Sequence, residues 1–203
     1  MHTSQDHAGA RQRRAGIVAD QVISAPDGLP AGTAARAASV RGVAASVGLP
    51  RTGALVPVGT DDGRWMRPAS VQGVSGSSRD LVAVQDLDVR QGRLDALGPG
   101  RVAVDALLAK AAHARVGHRL ALHLPDGTKI SPTVVAIYGR GLGIAELTLP
   151  RAALIGHVTS SFDSDVLVRD AGGAGPRWVA LGRAGPAKGP ARGVSPRAGP
   201  SLS

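Results

Sequence analysis

The histidines are the first side chains in the sequence that could carry chemistry, because imidazole both binds metals and transfers protons. Three of the six, His113, His118 and His123, follow one another at intervals of five residues. Residues five apart on a strand point to opposite faces, so His118 and His123 cannot bind the same ion there. We therefore predict solvated or edge histidines and no metal site.

The serines and the paired acids do not have the spacing of a catalytic or calcium site. Residues 73–78 are rich in glycine and serine but lack the G-x-S-x-G turn of a serine hydrolase, so we predict a linker there. Asp61 with Asp62, and Asp86 with Asp88, lack the spaced oxygen ligands of a calcium loop. A small hydrolase is the least favoured function, because no Ser, His and Asp can be brought together from spacing alone.

A glycine-rich segment at residues 139–144 follows a predicted strand, where backbone N–H groups could approach a phosphate. It matches neither G-x-G-x-x-G nor G-x-x-x-x-G-K-[ST], so we predict a flexible connector. No catalytic residue, cofactor-binding residue or metal ligand is left to name. From these patterns we therefore predict no cofactor site.

The positive charge raises the question of a nucleic-acid partner. The net charge is +9, and residues 171–203 contain five basic residues, no acidic ones, 8 Gly and 5 Pro. This composition without an apolar period predicts a disordered basic tail. Its cations are Arg177, Arg183, Lys188, Arg192 and Arg197, with Trp178 available to stack on a base. A small basic protein that binds nucleic acid through this tail is the alternative function, although such dispersed charges favour it only weakly.

Neither a membrane span nor a secretory signal is predicted in this chain. The longest uncharged run has 11 residues, whereas a membrane-spanning helix needs about 20 apolar residues. Arg11, Arg13 and Arg14 are not followed by the apolar run of a secretory signal. Cysteine is absent, which excludes a disulfide framework and a zinc-thiolate site.

The first half of the chain predicts two short helices followed by a hairpin. Ile17, Val18, Val22 and Ile23 recur at roughly helical spacing, and residues 34–47 form an alanine-rich second segment. Further along, two extended segments, residues 53–58 and 65–74, flank a Thr-Asp-Asp-Gly turn and predict a β-hairpin.

The second half predicts a strand at residues 101–104 and a helix at residues 106–112 that Asp105 can cap. Pro150 can open a helix at residues 151–158, and a final strand is predicted at residues 165–169.

The sharpest local prediction is a hairpin around the Leu-Pro-Asp-Gly-Thr sequence at residues 124–128. A two-residue loop would place the polar Ser131 opposite Leu122, on the leucine face. A three-residue loop with Gly127 in the left-handed region avoids this, because apolar partners then face the leucines. The predicted pairs are Leu124 with Thr128, Leu122 with Ile130 and His118 with Val134.

Together these elements predict an α+β fold of short, largely antiparallel strands with two to four packed helices. The predicted organisation is a disordered basic N-terminus at residues 1–14, a folded core at residues 15–170 and the disordered Gly/Pro-rich tail at residues 171–203.

Several short motifs occur in a distinctive order between residues 89 and 168. They are Gly92-Arg93-Leu94, Arg101-Val102-Ala103-Val104-Asp105, Val116-Gly117-His118-Arg119-Leu120, Leu124-Pro125-Asp126-Gly127-Thr128, Val134-Val135-Ala136-Ile137-Tyr138 and Gly141-Leu142-Gly143. This order resembles the extracytoplasmic domain of FtsX-like ABC transporter permeases, also called the MacB-like periplasmic core domain. Residues 34–74 share the resemblance more loosely. Gly92, Gly117, Asp126 and Gly127 are interpreted as turn-forming motif positions.

The resemblance implies a non-catalytic module outside the membrane that relays ATP-driven motion or contacts an exported lipid, peptide or partner protein. It implies an ABC permease partner and, through that permease, an ATPase subunit. The transmembrane helices that flank the domain in that family are missing from this chain, so the resemblance implies a truncated permease fragment. It places the domain on the extracytoplasmic face of the plasma membrane; because no signal or anchor is predicted in this chain, the cytoplasm is the alternative location.

Overall fold

The computed structural model describes residues 16–60, 63–160 and 162–172, together with the backbone of residues 177–180. The strands are β1 (Gln21–Leu29), β2 (Val43–Leu49), β3 (Arg51–Thr60), β4 (Gly63–Val74), β5 (Val89–Gly92), β6 (Arg101–Asp105), β7 (Leu122–His123), β8 (Lys129–Ile130), β9 (Thr133–Tyr138), β10 (Leu147–Pro150), β11 (Asp163–Asp170) and β12 (Arg177–Ala180). The helices are α1 (Thr33–Ala38), α2 (Ser78–Val84) and α3 (Ala106–Ala111), with 3₁₀ turns at Leu94–Ala96 and Arg151–Ala153.

These strands form two sheets. The smaller sheet has the order β12-β1-β11-β2, and the larger has the order β5-β9-β6-β10-β4-β3-β7-β8. Most neighbouring strands are antiparallel; the parallel pairs are β1 with β12, β4 with β10 and β6 with β9. The architecture confirms the predicted α+β class.

One apolar core joins the two sheets. Val22, Val47 and Leu167 enter it from the smaller sheet, and Ala103 and Tyr138 enter it from the larger one, all without solvent exposure. A second core lies on the other face of the larger sheet, where α3 covers it. Because close-packed interiors resist deformation, the shared core makes the two sheets one stiff body.

The first predicted helix is wrong, because residues 21–29 form the strand β1. Val22 and Ile23 lie between β11 and β12, which pair with β1 on its two sides. Pairing on both sides satisfies the backbone of β1 and outweighs a weak helical pattern in its sequence. The second predicted helix is confirmed only at Thr33–Ala38; Gly42, with φ of 90°, precedes the strand Val43–Leu49.

Both predicted hairpins are confirmed. Strands β3 and β4 pair from Arg51 opposite Gln72 to Thr60 opposite Gly63, and the two residues between them lie outside the described part of the chain. In the second hairpin Leu122 pairs with Ile130, and Gly127 has φ of 85°. The other two predicted pairs are also present. The N–H of Leu124 donates to the carbonyl of Thr128 at 2.9 Å, and the N–H of Val134 donates to the carbonyl of His118 at 2.9 Å.

Asp105 caps α3 as predicted, since its carboxylate accepts from the N–H groups of Leu107 at 2.9 Å and Leu108 at 3.4 Å. The helix predicted at residues 151–158 is wrong in extent: only the 3₁₀ turn Arg151–Ala153 forms. Gly156, with φ of 84°, adopts a left-handed conformation that ends helical winding. The strand predicted at residues 165–169 is confirmed within β11.

The segment predicted as a basic tail contributes one strand to the smaller sheet. Within it, Arg177–Ala180 forms β12, and Trp178 lies opposite Val22 of β1. The rest of the predicted tail from residue 173 onward, and the predicted disordered N-terminus at residues 1–14, lie outside the described residues.

Gly92 and Gly117 both have a positive φ but differ in the space around them, so replacing each by alanine tests the backbone geometry. Gly92 has φ of 73°, and a Cβ there would overlap the carbonyl oxygen of Val135. Gly117 has φ of 86° but open space around it. We expect Gly117→Ala to lower the free energy of unfolding by about 1 kcal/mol and Gly92→Ala by more than about 2 kcal/mol. Urea unfolding of the two variants measures the difference, and equal losses would contradict the close approach at Gly92.

Candidate functional site

The three evenly spaced histidines do not converge. His113 lies in the turn after α3 with φ of 50°, His118 is exposed in the following loop, and His123 is half-buried on β7. In the part of the chain that the structure describes, no three His, Cys, Asp or Glu side chains are grouped so that they could hold a metal ion.

Of the two acidic pairs, Asp61 and Asp62 lie outside the described residues. Asp86 accepts hydrogen bonds from the backbone N–H of Asp88 and from Arg140. These two contacts lower the pKa of Asp86. Its carboxylate thus links its own turn to the segment that follows β9.

The serine-rich segment is the start of a helix, so the linker prediction is wrong there. The hydroxyl of Ser77 accepts from the N–H of Asp80 at 3.0 Å and caps α2. Ser78 donates to the carbonyl of Asp95 at 2.6 Å. Because α2 contributes Leu81 and Val84 to the shared core, these serines position a structural element.

The glycine-rich segment at residues 139–144 is closed by carboxylates. The N–H of Gly141 donates to Asp105 at 3.2 Å, and a Cβ at this position would overlap the Asp105 carboxylate. A Cβ at Gly139 would likewise overlap the Asp88 carboxylate. The N–H of Gly141 is thus already bonded, and the guanidinium of Arg90 also lies against Gly139, so the glycines permit close packing of the loop and leave no open phosphate cradle at these two positions.

A buried ion pair lies where the two sheets meet, beside Pro50, which carries the chain from β2 to β3. Arg151 donates to Asp163 and, at 2.9 Å, to the hydroxyl of Ser75. Asp163 has no solvent exposure; burial raises the pKa of its carboxyl, and the guanidinium of Arg151 opposes that rise. A Cβ at Gly48 would overlap this carboxylate, so the pair is enclosed on the β2 side as well.

A second polar contact reinforces the same junction. Arg51, at the start of β3, forms an ion pair with Asp165 of β11 at 3.8 Å. Asp165 also accepts from the hydroxyl of Ser24 of β1 at 2.6 Å. The junction thus combines the shared apolar core with specific charged contacts.

An open groove lies along strands β3, β4 and β7 of the larger sheet. It has a volume of about 580 Å³ and runs between the β3–β4 hairpin and the start of the Pro125 turn. Leu55 and Pro68, which face each other across β3 and β4, line it together with His123. Leu55 is 41% exposed, so the groove offers an accessible apolar surface.

The structure also brings together an acid and a histidine that the sequence reasoning did not connect. Nδ1 of His157 lies 2.7 Å from a carboxylate oxygen of Asp126. This bond, together with the N–H of Thr128, lowers the pKa of Asp126 to about 2. Ser131 and His157 both line a cavity of about 320 Å³ at one end of the larger sheet, yet no hydrogen bond joins them among the described residues, so the relay of a serine hydrolase is not assembled.

The arrangement of the two sheets is the fold of domains that ABC-type transporters carry outside the membrane. The extracellular domain of the noncanonic ABC-type transporter YknZ from Gram-positive bacteria superposes with a TM-score of 0.53 at 18% identity, covering 71% of this chain and 74% of that one. The fold predicted from the motif order is therefore confirmed.

Two further structures share the fold. The periplasmic region of MacB from Actinobacillus actinomycetemcomitans gives a TM-score of 0.50 at 16% identity, covering 70% of this chain and 65% of that one. A permease domain from Porphyromonas gingivalis gives a TM-score of 0.50 at 15% identity, covering 70% and 63%. The chain thus spans less than two thirds of these two structures.

No family model matches the sequence, and no curated protein matches it. Among the described residues, no helix is long and apolar enough to cross a bilayer.

Proposed function

We propose that residues 15–170 are the extracytoplasmic module of an ABC-type permease and that the module works by contact, without catalysis of its own. The observation that carries the proposal is the fold shared with the extracellular domain of YknZ and the periplasmic region of MacB. The ordered motifs from Gly92 to Gly143 support it independently, because they were found in the sequence alone.

The internal structure supports a relay of motion. A module that passes on ATP-driven movement must shift as a unit, and a core shared by both sheets resists their separation. The Arg151–Asp163 and Arg51–Asp165 pairs cross the same junction and add directional contacts. Exposed apolar side chains such as Leu55 and Leu107, which is 75% exposed, provide surface for a partner.

Co-purification tests this proposal. The gene is tagged in its own organism, and the protein is extracted in mild detergent and analysed by mass spectrometry and for ATP hydrolysis. We expect an ABC permease and an ATPase subunit to accompany the protein and to stay bound when salt is raised to about 200 mM, because apolar contacts are not screened. Recovery of the protein without either subunit would contradict the proposal.

A variant that ends at residue 180 separates this function from nucleic-acid binding through the tail. It removes Arg183, Lys188, Arg192 and Arg197 but keeps β12, which pairs with β1. We expect the permease to remain bound to this variant. The alternative function predicts instead that the full chain binds nucleic acid, that binding weakens steeply between about 50 and 200 mM salt, and that the variant loses it.

A further inference from the structure

A cavity of about 320 Å³ opens at one end of the larger sheet, apart from the groove and the sheet junction. Arg101 at the start of β6, Arg119 before β7 and His157 in the turn after β10 line it. Pro132 and Leu149 form an apolar part of its wall. Small-molecule sites are typically cavities of about 300 to 1,000 Å³ with mostly apolar walls and a few polar groups.

No carboxylate among the described residues neutralises the two arginines at this cavity. Arg119 is exposed and forms no ion pair with any described residue. Arg101 donates to the carbonyl of Ala96 at 2.8 Å and likewise has no carboxylate partner in the described part of the chain. None of the described residues that line the cavity is acidic. Unlike Arg67 and Arg93, which are paired with acids at 2.6 Å, these two guanidiniums retain N–H groups that can bind an anion.

His157 adds a third nitrogen group with a fixed orientation. Asp126 binds its Nδ1 from outside the cavity lining, and the low pKa of Asp126, about 2, keeps that carboxylate ionised at neutral pH. Nε2 is left without a partner among the described residues. Because Nδ1 donates to Asp126, Nε2 carries a proton for an anion only in the imidazolium form. Ser131 lines the same space, and its hydroxyl can donate.

We propose that this cavity binds a compact anion, a carboxylate or phosphate group, carried on a short apolar body. Guanidinium groups match the oxygen geometry of such anions, and charge-assisted hydrogen bonds are about twice as strong as neutral ones. Pro132 and Leu149 would contact the apolar part. The site is separate from the proposed permease contact and does not depend on it. The anion could be a free metabolite or a lipid headgroup, because both present the same chemistry.

Titration of the full ¹⁵N-labelled chain with three matched probes tests the proposal. Butyl phosphate carries both features, inorganic phosphate only the charge, and 1-butanol only the apolar body. We expect butyl phosphate to shift the amide signals of Ser131 and Gly100 saturably and to bind more tightly than either other probe. A sedimentation arm uses vesicles of phosphatidylglycerol, with phosphatidylcholine vesicles as the neutral reference.

Two arginine variants make the test specific. Arg119→Gln should weaken binding by at least about tenfold, and Arg41→Gln, an exposed arginine between α1 and β2, should leave it unchanged. If Arg119→Gln loses binding of butyl phosphate but not of phosphatidylglycerol vesicles, the result supports a free ligand. If it loses binding of the vesicles but not of butyl phosphate, the result supports a lipid headgroup. Equal losses of binding in Arg119→Gln and Arg41→Gln would overturn the proposal. So would an unaltered chain that binds neither butyl phosphate nor phosphatidylglycerol vesicles.

Discussion

Arg151→Met is expected to lower the free energy of unfolding by about 3 to 5 kcal/mol, because it leaves Asp163 buried and charged without its partner. Arg151 is the guanidinium that contacts this carboxylate, and Asp163 has no solvent exposure. Urea unfolding followed by circular dichroism measures the loss. Arg41→Met, at an exposed position, is the matched control and should change stability by less than about 0.5 kcal/mol.

The stability lost in Arg151→Met should depend on pH in a definite direction. Burial raises the pKa of Asp163 above its value in the unfolded chain, and removal of Arg151 raises the pKa further. A group of this kind stabilises the fold below its unfolded pKa and loses that contribution as pH rises through its folded pKa. The loss of unfolding free energy in Arg151→Met should therefore shrink as pH falls from neutrality toward the ordinary pKa of aspartate, 3.8. A deficit that is constant over this range would show that Asp163 is not the cause.

Leu122→Ala is expected to cost about 2 to 5 kcal/mol, whereas His123→Ala should cost less than about 1 kcal/mol. Leu122 has no solvent exposure and belongs to the core under α3. Its neighbour His123 is half-buried and lines the open groove beside Leu55 and Pro68. Adjacent residues on a strand face opposite sides, so the two variants report the register directly.

A register shifted by one residue would reverse this result. His123 would then enter the core, and His123→Ala would become the more destabilising change. Thermal or urea unfolding of both variants in the same buffer decides between the registers, and Ala121, exposed on the other side of Leu122, offers Ala121→Ser as a neutral reference.

Structural elements that depend on neighbouring residues in the sequence could be predicted. The three-residue loop ending in Gly127 and the cap at Asp105 each depend on a few neighbouring residues, and both are confirmed. Strand β1 could not be predicted, because its partners β11 and β12 lie more than 130 residues away along the chain. Its own sequence, with Pro26 and a scattered apolar pattern, favours no element strongly.

The same distinction applies to the candidate sites. The turn role of Asp126 is visible in its sequence, since its carboxylate accepts from the N–H of Thr128 at 2.9 Å. Its contact with His157 is 31 residues distant and depends on the turn after β10. Arg151 and Asp163 are only 12 residues apart, yet nothing in their spacing indicates that the pair is buried between two sheets. Tertiary packing alone creates both contacts.

The accessibility of an introduced cysteine tests the extracytoplasmic assignment most directly, because the chain has no cysteine of its own. Leu107→Cys, at a position 75% exposed on α3, is introduced into the gene in its native organism, and Val102→Cys, at a fully buried position on β6, is the control. Intact cells are then treated with a membrane-impermeant maleimide. The account predicts labelling of Leu107→Cys in intact cells and of Val102→Cys only after denaturation. Labelling of Leu107→Cys only after the cells are lysed would contradict an extracytoplasmic module.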